Sequence, residues 1–237
     1  MAYKIFAEVT ASFIHEDKNI LNRIAAAFVL SGLLISGPSL ADSDQELTTA
    51  SNGEAVSEVI ERDVPALRKK VFKQLWKAQD DLEEKKLDKA EKRLNKLLAR
   101  DDLNKYELAS VYNSLAYIYY ATKDYPAAIK WYERVVEQSP SIPLKLESGT
   151  LYTLGLLYLL SDNPVASRRV FEQYLELTDD PNPNIHGLLA EVYWLTDQLE
   201  KGRPYLERHL QLLEEREKEP SERFLEIVAA YEIVASP

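Results

Sequence analysis

Residues 115–136 read LAYIYYATKDYPAAIKWYERVV, with two small residues, Ala116 and Ala128, set 12 apart among aromatic side chains. The same offset recurs at Ala78 with Ala90, Gly155 with Ser167, and Ala190 with Gly202. Three residues after the first small site stand Tyr119, Tyr158 and Tyr193, while four after the second stand Leu94, Tyr132, Phe171 and Leu206. Eight after the second come Leu98, Val136, Leu175 and Leu210. Coincidence does not hold several registers at once, so the chain is built from a repeated unit. Its steps of 38, 39 and 35 residues fit a helical repeat of about 34 residues with lengthened connections.

Each unit reads as two helices. Tyr112, Leu115, Ala116 and Tyr119, then Ala128, Val135 and Val136, fall at helical spacing. Between them, KDYPA puts Pro126 just inside a second helix, SDNPV puts Asn163 before Pro164, and TDQLE offers Asp197 and Glu200 as a capping pair. Small residues at the crossing of two antiparallel helices let the backbones approach, with a neighbouring Tyr or Leu filling the groove beside them. Ala78, Ala90, Ala116, Ala128, Gly155, Ser167, Ala190 and Gly202 are therefore the expected packing sites between helices.

The first 41 residues have a different pattern. Lys18 and Arg23 precede the apolar run Ile24 to Ile35, and Ser39 and Ala41 follow in small-x-small spacing. This is the three-part pattern of a secretory signal peptide cleaved after Ala41, with an apolar run too short to span a bilayer comfortably. Residues 42–65 form an acidic lead-in without a helical apolar stripe, expected to be flexible, and 66–237 the repeat domain of about four repeats and a C-terminal helix. Charge is blocky: residues 62–105 carry 14 Lys and Arg against nine Asp and Glu, whereas residues 106–237 carry 12 against 21.

At these residues the chain resembles the tetratricopeptide repeat family. VYNSLAYIYYATKDYPAAIKWYERVVEQSP carries its aromatic, Leu, small and Tyr positions at Tyr112, Leu115, Ala116 and Tyr119, followed by Tyr125, Ala128, Tyr132 and Pro140. LYTLGLLY and LLAEVY repeat the first half, and the copy around Ala78 and Ala90 is degenerate at Lys77 and Asp81. The resemblance implies an all-α, right-handed superhelical stack of antiparallel helix pairs, an α-solenoid. SERFLEIVAAYEIVASP supplies a single further helix whose Phe224, Ile227, Val228 and Tyr231 form a face able to cap the stack. The order of the repeats behind a signal peptide is similar to the periplasmic tetratricopeptide proteins encoded beside TonB-type energy transducers of Gram-negative bacteria.

That likeness implies a non-enzymatic periplasmic scaffold for protein–protein interaction, accessory to TonB-dependent outer-membrane transport. Its partners would be envelope proteins, a TonB-type transducer or its motor among them. The alternative is a structural or assembly factor for outer-membrane or cell-wall machinery. Ligand-facing positions carried over from the family are Asn113, Tyr117 and Tyr120, then Tyr152, Leu156 and Leu159, then Leu188, Glu191 and Trp194. This is an aromatic and aliphatic groove suited to peptide or helix anchors.

Other classes find little support. The chain has no cysteine, and His186 and His209 lack metal-ligand spacing, so neither a metal nor a cofactor is expected. No Gly-rich phosphate loop occurs. A formal net charge of −10 on an exported chain argues against nucleic acid. The basic, aromatic stretch RKKVFKQLWK, Arg68 to Lys77, reads as a docking patch for anionic partners.

The signal reading predicts that native protein recovered from the envelope fraction begins at Asp42. Intact mass checks it, and a soluble cytosolic chain that keeps Ile24 to Ile35 overturns it.

Overall fold

The computed structural model describes residues 62–178, 182 and 184–235; the expected signal peptide, and all of the lead-in before residue 62, lie outside the described residues. Every element among the described residues is a helix. They run α1 (Lys69–Glu83), α2 (Leu87–Leu98), α3 (Lys105–Ala121), α4 (Tyr125–Val136), α5 (Leu144–Leu160), α6 (Pro164–Glu176), α7 (Ile185–Leu195), α8 (Leu199–Glu214) and α9 (Glu222–Ala235). Contacts follow chain order: α1 packs on α2, α3 on α4, α5 on α6 and α7 on α8, and each second helix then meets the next first helix. The result is an all-α stack of four helix pairs closed by α9, which lies on α7 and α8.

The small residues sit deep in this stack. Ala78, Ala90, Ala116, Ala128, Ser167 and Ala190 are 0 % exposed, and Gly155 and Gly202 are buried. At the α5–α6 contact the Ser167 hydroxyl donates to the Gly155 carbonyl at 2.9 Å. A Cβ on Gly155 would stand 2.0 Å from the Phe171 ring, and one on Gly202 would stand 2.6 Å from the Tyr193 Cβ. These are backbone approaches that only a missing side chain permits.

A second register joins one pair to the next. Five residues before, one before and two after the first small site, α3 places Val111, Leu115 and Ile118 against Leu94 and Leu97 of α2. The same register supplies Leu154 and Leu157 of α5, and Ile185, Leu189 and Val192 of α7, to the central core with Tyr132, Phe171 and Tyr174. In α1, which has no preceding pair among the described residues, it reads Lys73, Lys77 and Asp80, all exposed. The degeneracy of the first repeat thus makes a polar, exposed face, of the kind that caps a solenoid.

Tyrosines strengthen these joints. The hydroxyl of Tyr119 on α3 donates to Glu91 of α2 at 2.8 Å, that of Tyr158 on α5 to Glu133 of α4, and that of Tyr193 on α7 to Glu172 of α6. The equivalent residue of α1 is Asp81, which is buried and turns inward to Lys89 and Arg93 of its own partner α2. Those two cations hold its carboxyl below the ordinary carboxylate range, Lys89 being the larger cause.

The turns inside the pairs share a device invisible to glycine counting. Lys85, Lys123, Asp162 and Asp197 each follow a first helix with φ of 59°, 63°, 55° and 54°. Around each, two backbone bonds close the helix end: Asp124 N–H donates to the Tyr119 carbonyl at 2.8 Å and Lys123 N–H to that of Tyr120 at 2.9 Å. Asn163 to Tyr158, Gln198 to Tyr193 and Lys86 to Asp81 repeat the first of these, which spans five residues. This is a Schellman closure made with residues other than Gly.

The next helices start on side chains. Asn104 and Glu107 form a reciprocal capping box on α3, and Asp124 and Asn163 accept from the N–H groups of Ala127 and Ala166. The expected Asp197–Glu200 pair does not form. Gln198 is the α8 N-cap, with no side-chain cap bond, because Asp197 is the left-handed residue that ends α7.

Two substitutions test these constraints in one set of denaturant melts. Gly155→Ala forces a methyl group against the fully buried Phe171 and is expected to cost about 1–3 kcal/mol. Lys123→Gly relieves a left-handed lysine and is expected to gain about 0.5–1 kcal/mol, a sign opposite to that of Gly placed inside a helix.

Candidate protein-interaction surface

The first helices α1, α3, α5 and α7 line one side of the stack, and the register three before, one after and four after the small residue gives their candidate groove positions. On α3 these are Asn113, Tyr117 and Tyr120, all half-buried. The Tyr120 ring lies 6.2 Å from Tyr125 of α4, and burial pushes its hydroxyl up to about 12. The Asn113 Oδ1 is buried and has no hydrogen-bond partner. An amide oxygen withdrawn from water without a donor is costly, of order 1–3 kcal/mol.

Further along the stack the expected groove is closed. Tyr152, Leu156 and Leu159 of α5 are 6 %, 7 % and 4 % exposed, and Leu188 of α7 is 3 %. Tyr152 lies 6.0 Å from the Phe171 ring and 5.5 Å from that of Tyr174. These four residues are core rather than free surface, because α5 is apolar on all sides and buries every residue from 150 to 159.

Glu191 is also withdrawn: it is 5 % exposed and pairs with Arg223 of α9. Burial raises its carboxyl above the ordinary range and the Arg223 charge opposes that shift. It ties the last helix to α7. Trp194 is half-buried and packs into the small cluster with Ala190, Leu206, Phe224, Ile227 and Tyr231.

At the start of the stack the aromatic surface opens instead. Trp76 of α1 is 50 % exposed, lies 6.0 Å from Phe72 and sits among exposed Lys69, Lys73 and Lys77. The family-derived positions of α1 are Leu75, Gln79 and Leu82, two of them buried, so the register alone overlooks Trp76. Local composition does find it, as the basic aromatic stretch from Arg68 to Lys77. That segment is anchored by Arg68, whose backbone N–H and side chain all donate to the buried Glu107 of α3.

The histidines serve packing. His186 stacks on Tyr205 of α8 at 6.2 Å, and burial, with the nearby Arg208 charge, lowers its pKa. His209 meets Phe224 edge-on at 4.5 Å. Among the described residues no three His, Cys, Asp or Glu side chains gather as a metal site, and no helix is long and apolar enough to cross a membrane.

Comparison with known proteins agrees with this architecture. Residues 107–180, holding α4, α5, α6 and most of α3, match the family model Tetratricopeptide repeat. A solved structure of a putative kinesin light chain with nearly identical TPR-like repeats, from Podosopora anserina, shares the fold at a TM-score of 0.50 and 16% identity, over 69% of this chain and 85% of its own. A Pseudomonas aeruginosa pilF structure aligns at a TM-score of 0.43 and 15% identity, over 70% of this chain and 84% of its own. No curated protein matches the chain.

Truncation separates core from surface. Tyr152→Ala is expected to cost about 3–5 kcal/mol of stability, while Trp76→Ala stays within about 0.5 kcal/mol of the parent. Urea melts of the two variants check this, and similar losses for both would show Trp76 to be structural.

Proposed function

We propose that this chain is a non-enzymatic scaffold of the periplasm that holds an extended segment of an envelope protein, accessory to TonB-dependent outer-membrane transport. The observation that carries the binding reading is the pair of half-open rings, Tyr117 and Tyr120, that α3 keeps at its groove positions. An extended peptide offers an apolar side chain to such rings. Tetratricopeptide repeats over residues 107–180 supply a rigid backing. Trp76 and its lysines extend the surface toward partners with acidic residues.

The location and the transport system rest on sequence features: the signal-like segment ending at Ala41 and the likeness to tetratricopeptide proteins encoded beside energy transducers. A scaffold of this kind stabilises a partner's conformation or position and makes no bond.

Asn113→Ala and Tyr120→Ala should each weaken partner binding, by about 2 kcal/mol for an anchor residue, with little change in melting temperature for Asn113→Ala. Crosslinking in cells, followed by mass spectrometry of what attaches to a photoreactive residue at position 117, reads the outcome. A transducer or its motor among the captured proteins supports the transport reading, and cell-wall machinery in their place favours an assembly factor. A folded double variant that keeps every partner of the parent overturns the groove.

A further inference from the structure

The chain reaches α1 by an indirect route. Arg62 lies beside α5, where its guanidinium donates to the Ile142 carbonyl at 3.2 Å and pairs with Glu147 in the first turn of that helix. From there the backbone passes the start of α3, whose capping residue Asn104 donates a side-chain N–H to the Ala66 carbonyl at 2.9 Å. Leu67 packs against the core of the first pairs, and Arg68 closes on Glu107 in the first turn of α3. Only then does α1 begin, at Lys69.

Residues 62–68 thus run from the third pair, past the second, to the first. Six extended steps reach about 20 Å, enough for two helix separations of about 8–10 Å each. Packing between helices joins each pair to the next, and a stack held in that way alone has no direct tie between its first and third pairs. This segment supplies one.

Its two ends are held differently. Arg68 donates through its backbone N–H, Nε and both Nη groups, to the Glu107 carboxylate and to the carboxylate and carbonyl of Asp102. Arg62 has two acceptors, both reached through Nη1, and its Nε is buried with no partner among the described residues. The α3 end is therefore a fixed anchor and the α5 end a latch. Glu147 is buried and accepts one further bond, from the Ser139 hydroxyl at 2.9 Å. Release of Arg62 would leave that carboxylate buried without its cation, which keeps the latch closed in the resting chain.

We propose that residues 62–68 are a clasp that couples the first helix pair to the third, with Arg62 as its releasable end. Closed, it fixes the attitude of α1 and α3 to α5, and with it the face of α3 that carries Tyr117 and Tyr120. Open, it lets the first two pairs tilt about the joint between α4 and α5. Because the chain enters the described stack beside α5, a load on the residues before Arg62 meets the latch before it meets α1. Arg62 is a positioning residue in this device, acting through Glu147.

The chain has no cysteine, so Lys77→Cys on α1 and Lys145→Cys on α5, both at exposed positions, accept one nitroxide label each. Pulsed electron paramagnetic resonance on the full chain then reads the distance between the first and third pairs. A narrow distribution is expected, at least doubled in width by Arg62→Ala or Glu147→Gln and drawn back toward the parent by Arg62→Lys. Gly155→Ala strains the α5–α6 crossing and leaves the clasp intact, so it should keep the narrow distribution. Amide exchange gives a second reading, with α1 expected to open at least tenfold faster in Arg62→Ala. If Arg62→Ala melts far below the parent, Glu147→Gln and Arg62→Lys carry the comparison. Equal widths in the parent and the latch variants, or equal broadening by Gly155→Ala, overturns the proposal. Faster exchange confined to α5 and residues 137–143 overturns it too, since Arg62 then serves that connection alone.

Discussion

The approach of one helix backbone to another at a small residue is the constraint on which the remaining geometry depends. Where Gly155 faces Phe171, there is no room for even a methyl group, so the depth and angle of the α5–α6 contact are set by an absence. Ser167 adds a hydrogen bond across the same point. Once that crossing is fixed, the flanking residues of α5 have defined directions: Leu154 and Leu157 reach the preceding pair, and Tyr158 reaches Glu133. One close contact per pair is thus propagated into an ordered stack, with stability accumulating from neighbour to neighbour.

The two ends of the stack obey the same register with different chemistry. At the start, Lys73, Lys77 and Asp80 replace the aliphatic residues that seat later first helices, and the face they make is wet. At the far end α9 keeps its seating face, with Phe224 and Tyr231 buried, and leaves its outer face apolar. The outward register of α1 is therefore polar, whereas α9 exposes Leu225 and Ile233. Arg223 and Glu191 hold that last helix in place through an ion pair withdrawn from water, a contact whose loss would strand a buried charge.

Surface available for binding is correspondingly uneven. Stacking on both sides turns α5 and α7 into core, and their Tyr152 and Leu188 hold the pairs together. Aromatic residues remain within reach of a ligand on α3, at Tyr117 and Tyr120, and separately on α1, at Trp76. The charge blocks sharpen the division, with lysines around Trp76 and carboxylates along α9.

The sequence by itself determined the number of helix pairs, their order and the small residues between them, because steric exclusion at a crossing admits only Gly, Ala or Ser and so writes a readable period. It also marked the helix starts at KDYPA and SDNPV, where the Asp124 and Asn163 side chains satisfy backbone donors locally, though it misread Asp197 as a third. Tertiary structure alone decided which positions of that period face solvent. Tyr120 and Tyr152 occupy related registers, yet one keeps partial exposure and the other is core, since burial depends on every neighbouring helix at once. The turns escaped the sequence because no glycine marks them: Lys85, Lys123, Asp162 and Asp197 take left-handed backbone angles, held there by the backbone bonds that close each first helix.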